Sequence, residues 1–272
     1  MLNEDPNIRL PDVERHGIKL MCGDCLERLK EVPDKSIDLV LCDPPYGTTS
    51  LKWDEIIPLE PLWKELKRVL TPKGGCVFTC FQPFTTVLIN SNRPWFRYCW
   101  VWNKQSCGNP FVAPYQPLRT HEDVAVFYRK GAAMVYNPQG VVDLEETSSR
   151  AVCSPQMLNL RGDKKVHVQK KTRYPKSIVS IKREGKRSGM HPTQKPVELM
   201  RYFIETFTNP DARVLDFSMG SGTTGVAAVE SGREFVGIEL DRHWYDVAAS
   251  RIFESIEEKR METEMNVWQK EE

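Results

Sequence analysis

The chain has 272 residues, 40% of them apolar, which suits one large domain or one domain with a substantial insertion. Its 38 Lys and Arg nearly balance 37 Asp and Glu, so only local clusters of charge can point to a partner. No stretch approaches the roughly 18 apolar residues of a membrane helix, and the N-terminal residues lack the basic-then-apolar pattern of a secretory leader.

Taken in chain order, short apolar runs predict buried strands at residues 18–21, 37–42, 76–81, 98–102, 124–128, 213–215 and 235–238. Helical faces lie between some of them. Leu62, Leu66, Val69 and Leu70 share one face, Met200, Phe203, Ile204 and Phe207 another, and Trp244, Ala248 and Ile252 a third. Strands alternating with helices predict an α/β fold with a largely parallel sheet. The two tryptophans at 100 and 102 read as core, and His121 as a hydrogen-bonded structural residue. Residues 130–189 break the rhythm. Within them, residues 161–187 hold eleven Lys or Arg against two acids. Two readings stay open there, a solvated loop and a phosphate-contacting surface in which His167 and Tyr174 suit base edges. From Phe253 onward the chain is Glu-rich and predicts a solvated helix. Eight cysteines are scattered, with one metal-like spacing, Cys22-x-x-Cys25, and no second pair to complete a zinc site. Reduced thiols in a cytoplasmic protein are expected, and no metal.

Asp43-Pro44-Pro45-Tyr46 follows directly on the strand at 37–42. Proline has no donor for a central ladder, so two in a row force the chain out at the strand's carboxyl end, the edge where open α/β sheets bind ligands. There the Asp43 carboxylate and the Pro44 carbonyl can accept both hydrogens of an amino group, and Tyr46 offers a flat face for stacking. An aromatic amine is a poor nucleophile because its lone pair is delocalised into the ring. Two acceptors aimed at its hydrogens favour the form in which that pair is free. Trp53 or Phe81 could form the other wall, or pack in the core.

A second motif, Val214 to Thr224, joins a strand to a helix. Gly220 and Gly222 permit a tight bend and close approach of a ligand, and the helix start offers free N–H groups. The spacing is neither a dinucleotide fingerprint nor a Walker A loop. Glu239 ends the next strand 23 positions beyond Asp216, close to the ~20 expected of a ribose-hydroxyl acceptor.

These residues resemble those of the amino-type (N6-adenine/N4-cytosine) DNA methyltransferases. Asp43 to Tyr46 is similar to their catalytic motif, Leu215 to Thr224 to their cofactor loop, and His191-Pro192-Thr193-Gln194-Lys195-Pro196 to the family's His-Pro-Thr-x-Lys-Pro segment. Gly23-Asp24 is similar to an adenine-contacting Gly-Asp. The catalytic motif comes first and the cofactor loop last, the permuted order of the beta group. The likeness spans nearly the whole chain, from Lys19 to Ile252.

The resemblance implies a seven-stranded, mostly parallel, Rossmann-like sheet with helices on both faces. It implies the catalytic half at residues 1–130, a target-recognition insertion at 131–190, the cofactor half at 191–260 and a charged tail at 261–272. It implies S-adenosylmethionine as cofactor, double-stranded DNA as partner and direct transfer to the amino group of a flipped base, most readily adenine N6, since Asp rather than Ser opens the catalytic motif. Asp216, Gly220 and Gly222, with Ser221 and Thr223, line the methionine end. Thr193 and Lys195 hold its carboxylate, Glu239 takes the ribose hydroxyls and Asp24 the adenine amino group. Phe217 stands where the family has Pro and Ser218 where it has Phe, so Met219 is expected to fill that space beside Phe217. Lys164, Lys165, Lys170, Lys171, Arg173, Lys182, Arg183, Lys186 and Arg187 are the expected DNA contacts. Cytosine N4, RNA or protein-glutamine methylation, and a non-catalytic DNA-binding regulator are the alternatives. A homodimer and a separate restriction enzyme stay open as partners, in a bacterial, archaeal or phage-infected cell.

Overall fold

In a computed structural model, residues 12–48, 54–108, 110–151, 166–183 and 194–271 are described. The seven apolar runs become seven neighbouring strands. In chain order the N-terminal part has β1 (Val13–Arg15), β2 (Ile18–Cys22), α1 (Cys25–Arg28), β3 (Ile37–Cys42), α2 (Leu59–Val69), β4 (Leu70–Cys80), α3 (Phe84–Ser91), β5 (Phe96–Asn103) and β6 (His121–Tyr128). A separate small unit, residues 137–176, is an antiparallel pair of β7 (Val142–Ala151) and β8 (Val166–Thr172). The large unit resumes with β9 (Ile178–Ser180), α4 (Val197–Phe207), β10 (Arg213–Asp216), α5 (Thr223–Glu230), β11 (Glu234–Glu239) and α6 (Arg242–Glu271).

The sheet runs β1-β2-β11-β10-β3-β4-β6-β5-β9. Its strands are parallel except β1 and β6, each antiparallel to its neighbours. Two strands go beyond the seven expected. Both β1 and β9 are three-residue edge strands with mostly exposed residues, too short and too polar to show a period.

Alternation along the central strands builds two cores. Leu39 and Leu41 of β3 face α4, α5 and α6 through Phe203, Ala227 and Ile252. Val40 and Cys42 face the other way, onto Leu29, Leu66 and Phe84. Helices therefore cover both faces. The α2 face is buried at Leu62, Leu66 and Val69 as its spacing predicts, but Leu70 opens β4 instead of closing the helix. Pro72 disfavours helical backbone at Thr71, and the chain turns extended one residue earlier, with Leu70 at ψ 135°. In α6, Ala248 and Ile252 are buried while Tyr245, not Trp244, takes the third core position. Trp100 and Trp102 are core residues. Among the described residues no helix is long and apolar enough to cross a membrane.

The end of β10 carries a buried charge. Asp216 is 3% exposed, and burial pushes its carboxyl up to about 6 although Thr224 and the Ser218 amide bond to it. A carboxyl raised in the folded state stabilises the fold while protonated, and that contribution is lost as pH climbs through about 6. Asp216→Asn is therefore expected to gain stability relative to wild type as pH climbs from about 5 to about 7.5, by ~1.5 kcal/mol, the other half of the effect falling between about pH 4 and about pH 5. Denaturant unfolding of the cofactor-free proteins at both pH values checks it, and a constant difference contradicts it.

Candidate functional site

Adjacency of β3 and β10 sets the site. The two strands pair in parallel, Val214 with Leu39 and Leu215 with Val40, so their carboxyl ends release Asp43 and Asp216 side by side. The last ladder pair of β3 on β4 is Cys42 with Phe78. Beyond it Pro44 and Pro45 carry no N–H for the ladder, and Asp43 to Tyr46 turn out along the sheet edge. A cleft of about 1940 Å³ follows this edge, with Tyr46 and Lys195 toward one end and Gly220, Glu239 and Asp24 among the residues of the other.

The Asp43 carboxylate accepts three hydrogen bonds. Tyr46 and Thr79 hydroxyls donate to Oδ1, Thr79 at 2.5 Å, and Lys195 Nζ donates to Oδ2 at 2.5 Å. Lys195 is 6% exposed and lies 3.5 Å from Glu122, which in turn meets Lys104 at 3.2 Å. Burial works against the Lys195 charge, but Asp43 and Glu122 outweigh it and raise its pKa. Burial likewise acts to raise Glu122, and Lys195 and Lys104 bring it below the usual carboxylate value. Burial and the Asp43 charge push the Tyr46 phenol well up, so it stays a donor. Its ring meets Phe81 edge-on at 4.8 Å and Phe84 at 5.4 Å. Arg119 lies over the outer Phe81 face, 3.9 Å from the ring centre.

The glycine loop is built by the same strand ends. Gly220 has φ +52° and open space where a side chain would start. Its N–H donates to Glu239 Oε2 at 2.8 Å. Gly222 has φ +80°, and a Cβ there would come within 2.9 Å of Ala248, so α6 can approach only a glycine. Thr223 opens α5 with a buried hydroxyl that has no partner among the described residues, and it lines the cleft. An orphaned hydroxyl, an uncovered glycine and a buried carboxylate at a helix start fit a polar ligand such as S-adenosylmethionine. Burial raises Glu239, against the N–H groups of Asp241 and Gly220. Asp24 caps α1, its Oδ1 accepting from Leu26 and Glu27 N–H.

The other expected residues are placed as follows. Phe217 is withdrawn into the core against Phe78, ring centres 5.9 Å apart. Met219 is 4% exposed, its sulfur lying over Gly237, where any Cβ would strike it at 2.3 Å. Both residues are among those that line the cleft. Ser218 bonds across the cleft floor, its Oγ 3.3 Å from the Asp43 carbonyl and 3.1 Å from Cys42 Sγ. The Lys195 ammonium is engaged by Asp43 and Glu122 rather than by the glycine loop, where Gln194 bonds Ser221 Oγ at 2.7 Å. Thr193, Lys164, Lys165, Lys186, Arg187 and Trp53 lie outside the described residues. Lys170 lies on β8, and exposed Lys171 and Arg173 belong to the small unit. Exposed Lys182 and cleft-lining Arg183 belong to the large one. Among the described residues no cluster of His, Cys, Asp or Glu could hold a metal ion.

Sequence reasoning missed Thr79, Glu122 and Lys104. Each had a signal, a polar or charged residue inside or bounding an apolar strand, as in Cys76-Val77-Phe78-Thr79-Cys80.

Comparison with known proteins agrees with this arrangement. Type II methyltransferase M.HinfI of Haemophilus influenzae is 28% identical over 86% of this chain and 68% of its own length. The DNA adenine methyltransferase YhdJ of Escherichia coli is 27% identical over 85% of this chain and 81% of its own. In fold, the chain is similar to PvuII DNA methyltransferase (cytosine-N4-specific), with a TM-score of 0.61 at 17% identity over 86% of this chain and 85% of that one. It is also similar to M1.HpyAVI in its complex with SAM, TM-score 0.59 at 23% identity over 86% and 99%. The N6/N4 DNA methylase family model matches residues 37–250, and the chain belongs to that family of DNA amino-methyltransferases, whose methyl donor is S-adenosylmethionine.

Proposed function

We propose that this chain methylates N6 of an adenine flipped out of duplex DNA at a specific sequence, with Asp43 as the group that activates the amine. The observation that carries this reading is the Asp43 carboxylate itself. It stands at the exit of β3, fixed by three donors, in one cleft with the glycine loop.

A carboxylate has about four acceptor sites, and Tyr46, Thr79 and Lys195 take three. The remaining one can receive one amine hydrogen, with the Pro44 carbonyl receiving the other. Because Oδ1 and Oδ2 are both tethered, the carboxylate cannot rotate away from the amine. That preorganisation favours the form with its lone pair free. Bound at the glycine loop, S-adenosylmethionine supplies a sulfonium-activated methyl. Ser218 fixes the two loops at one distance through the Asp43 carbonyl. Once the nitrogen is methylated, Asp43 is the nearest base for the proton it must lose. Tyr46 and Phe81 wall the place where a flipped base would stack. Asp at the head of the catalytic motif supports adenine over cytosine, as does the relative named as an adenine methyltransferase. Exposed Lys171, Arg173 and Lys182 supply cations for phosphates.

Asp43→Ala is expected to lower kcat by about 10²–10³-fold or more while cofactor affinity, measured by calorimetry, changes little. Full activity in that variant contradicts the mechanism. Nucleoside mass spectrometry of DNA from cells expressing the protein is expected to show N6-methyladenine. N4-methylcytosine instead overturns the base assignment. Arg173→Ala and Lys182→Ala are each expected to weaken DNA binding equally across sequences and to make the salt slope shallower by about 1. An unchanged slope removes those residues from the phosphate contacts.

A further inference from the structure

Phe111 and Tyr115 are 87% and 88% exposed, the most exposed of the large apolar side chains among the described residues. They lie in the connection from β5 to β6, on a one-turn 3-10 helix at Pro110–Val112 and the turn that follows it. The connection is held in shape. Ala113 N–H donates to the Pro110 carbonyl at 3.1 Å, and Tyr115 and Gln116 N–H donate to the Val112 carbonyl at 2.9 and 3.0 Å. Prolines at 110, 114 and 117 stiffen it further. Between Asn103 and Thr120 it contains no acid, and its charged residues are Lys104 and Arg119.

Topology brings this connection to the site. β6 is antiparallel to both β4 and β5, so β5 leaves the sheet on the same edge as Asp43 and the glycine loop. Val112, Gln116, Pro117 and Arg119 line the cleft. Arg119 packs on Phe81, and Phe81 on Tyr46. Arg119, at the end of the same connection, thus reaches Tyr46 of the catalytic motif through Phe81. A stiff, acid-free loop that exposes two rings next in sequence to cleft-lining Val112 and Gln116 gains nothing in core packing from them. Exposed aromatics bury readily against base faces, because every base presents a π-face.

We infer that Phe111 and Tyr115 are the wedge that enters the duplex beside the target and occupies the gap the flipped base leaves. The inference rests on the proposed DNA-methylating activity and adds the residues that hold the extrahelical state. A gap-filling ring matters where a paired base must be unstacked, and matters little where the target is already unpaired. The test follows from that difference. The recognition site is first located by sequencing DNA modified by the wild-type protein. Phe111→Ala, Tyr115→Ala and the double variant are then assayed on two duplexes, one with the target paired and one with an abasic position opposite it. The variants are expected to lose about 10-fold or more in kcat/KM on the paired duplex and under about 2-fold on the abasic one. Fluorescence of 2-aminopurine at the target is expected to show less extrahelical base in the variants. Equal losses on both duplexes, or none on either, overturn the wedge while leaving the methylating activity standing. A change in oligomeric mass by light scattering, with equal losses, assigns the rings to a second copy of the chain and also overturns it. A wild-type protein that methylates neither duplex removes the activity and the wedge together.

Discussion

The ion pair between Lys195 and Asp43 joins residues 152 positions apart, and the active end of the cleft depends on it. Lys195 is almost wholly buried, and the Glu122 it also meets is mostly so. Desolvating such charges costs several kcal/mol per ion, and the pairing offsets it only when each partner is satisfied. Removing Lys195 strips Asp43 of its cation and leaves Glu122 with Lys104 alone, a loss of up to ~3–5 kcal/mol. The network Lys104–Glu122–Lys195–Asp43 therefore behaves as a unit. It ties β6 and the segment before α4 to the exit of β3, and it fixes the carboxylate by one oxygen while Tyr46 and Thr79 fix the other. For stability alone an apolar core would serve as well. What the charges add is a carboxylate with one defined orientation.

The permuted chain order is absorbed by the sheet. The cofactor loop arrives at the end of the sequence, yet β10 inserts between β11 and β3 and pairs with β3 in register. Two loops far apart in sequence become neighbours because a parallel pair delivers both carboxyl ends to one edge. Ser218 then makes the junction direct, through the Asp43 carbonyl and Cys42 Sγ. Any change in the pairing of β3 with β10 would shift the acceptor for the amine relative to the glycine loop.

Strands buried on both faces leave a strong trace in sequence, and all seven central ones were legible as apolar runs. The motif residues were legible because proline and glycine punctuate strand ends for reasons of backbone geometry. What stayed hidden was set by partners distant in the chain. Phe217 and Met219 line the cleft, but the partners that hold them do not show in the sequence: Phe217 packs on Phe78, and Gly237 opens a socket that takes the Met219 sulfur. Lys195 looks like a hand for an anionic ligand until the strand order brings Asp43 and Glu122 to it. Edge strands β1 and β9 left no period because they bury one residue or none.

The two ends of the cleft hold their carboxylates by different means. Asp43 is matched by a cation. Asp216 and Glu239 are matched by neutral donors, the Thr224 hydroxyl and the N–H groups of Ser218, Gly220 and Asp241. Neutral donors orient a carboxylate without cancelling its charge, and burial raises both groups. The end that must accept amine hydrogens is thus locked and near neutral overall, through Lys195. The end at the glycine loop orients its carboxylates by neutral donors, which favours a ligand carrying hydroxyl donors and a positive centre. A lysine moved from the first end to the second would undo both, since it would free the Asp43 carboxylate to rotate and would repel a cationic ligand from Glu239.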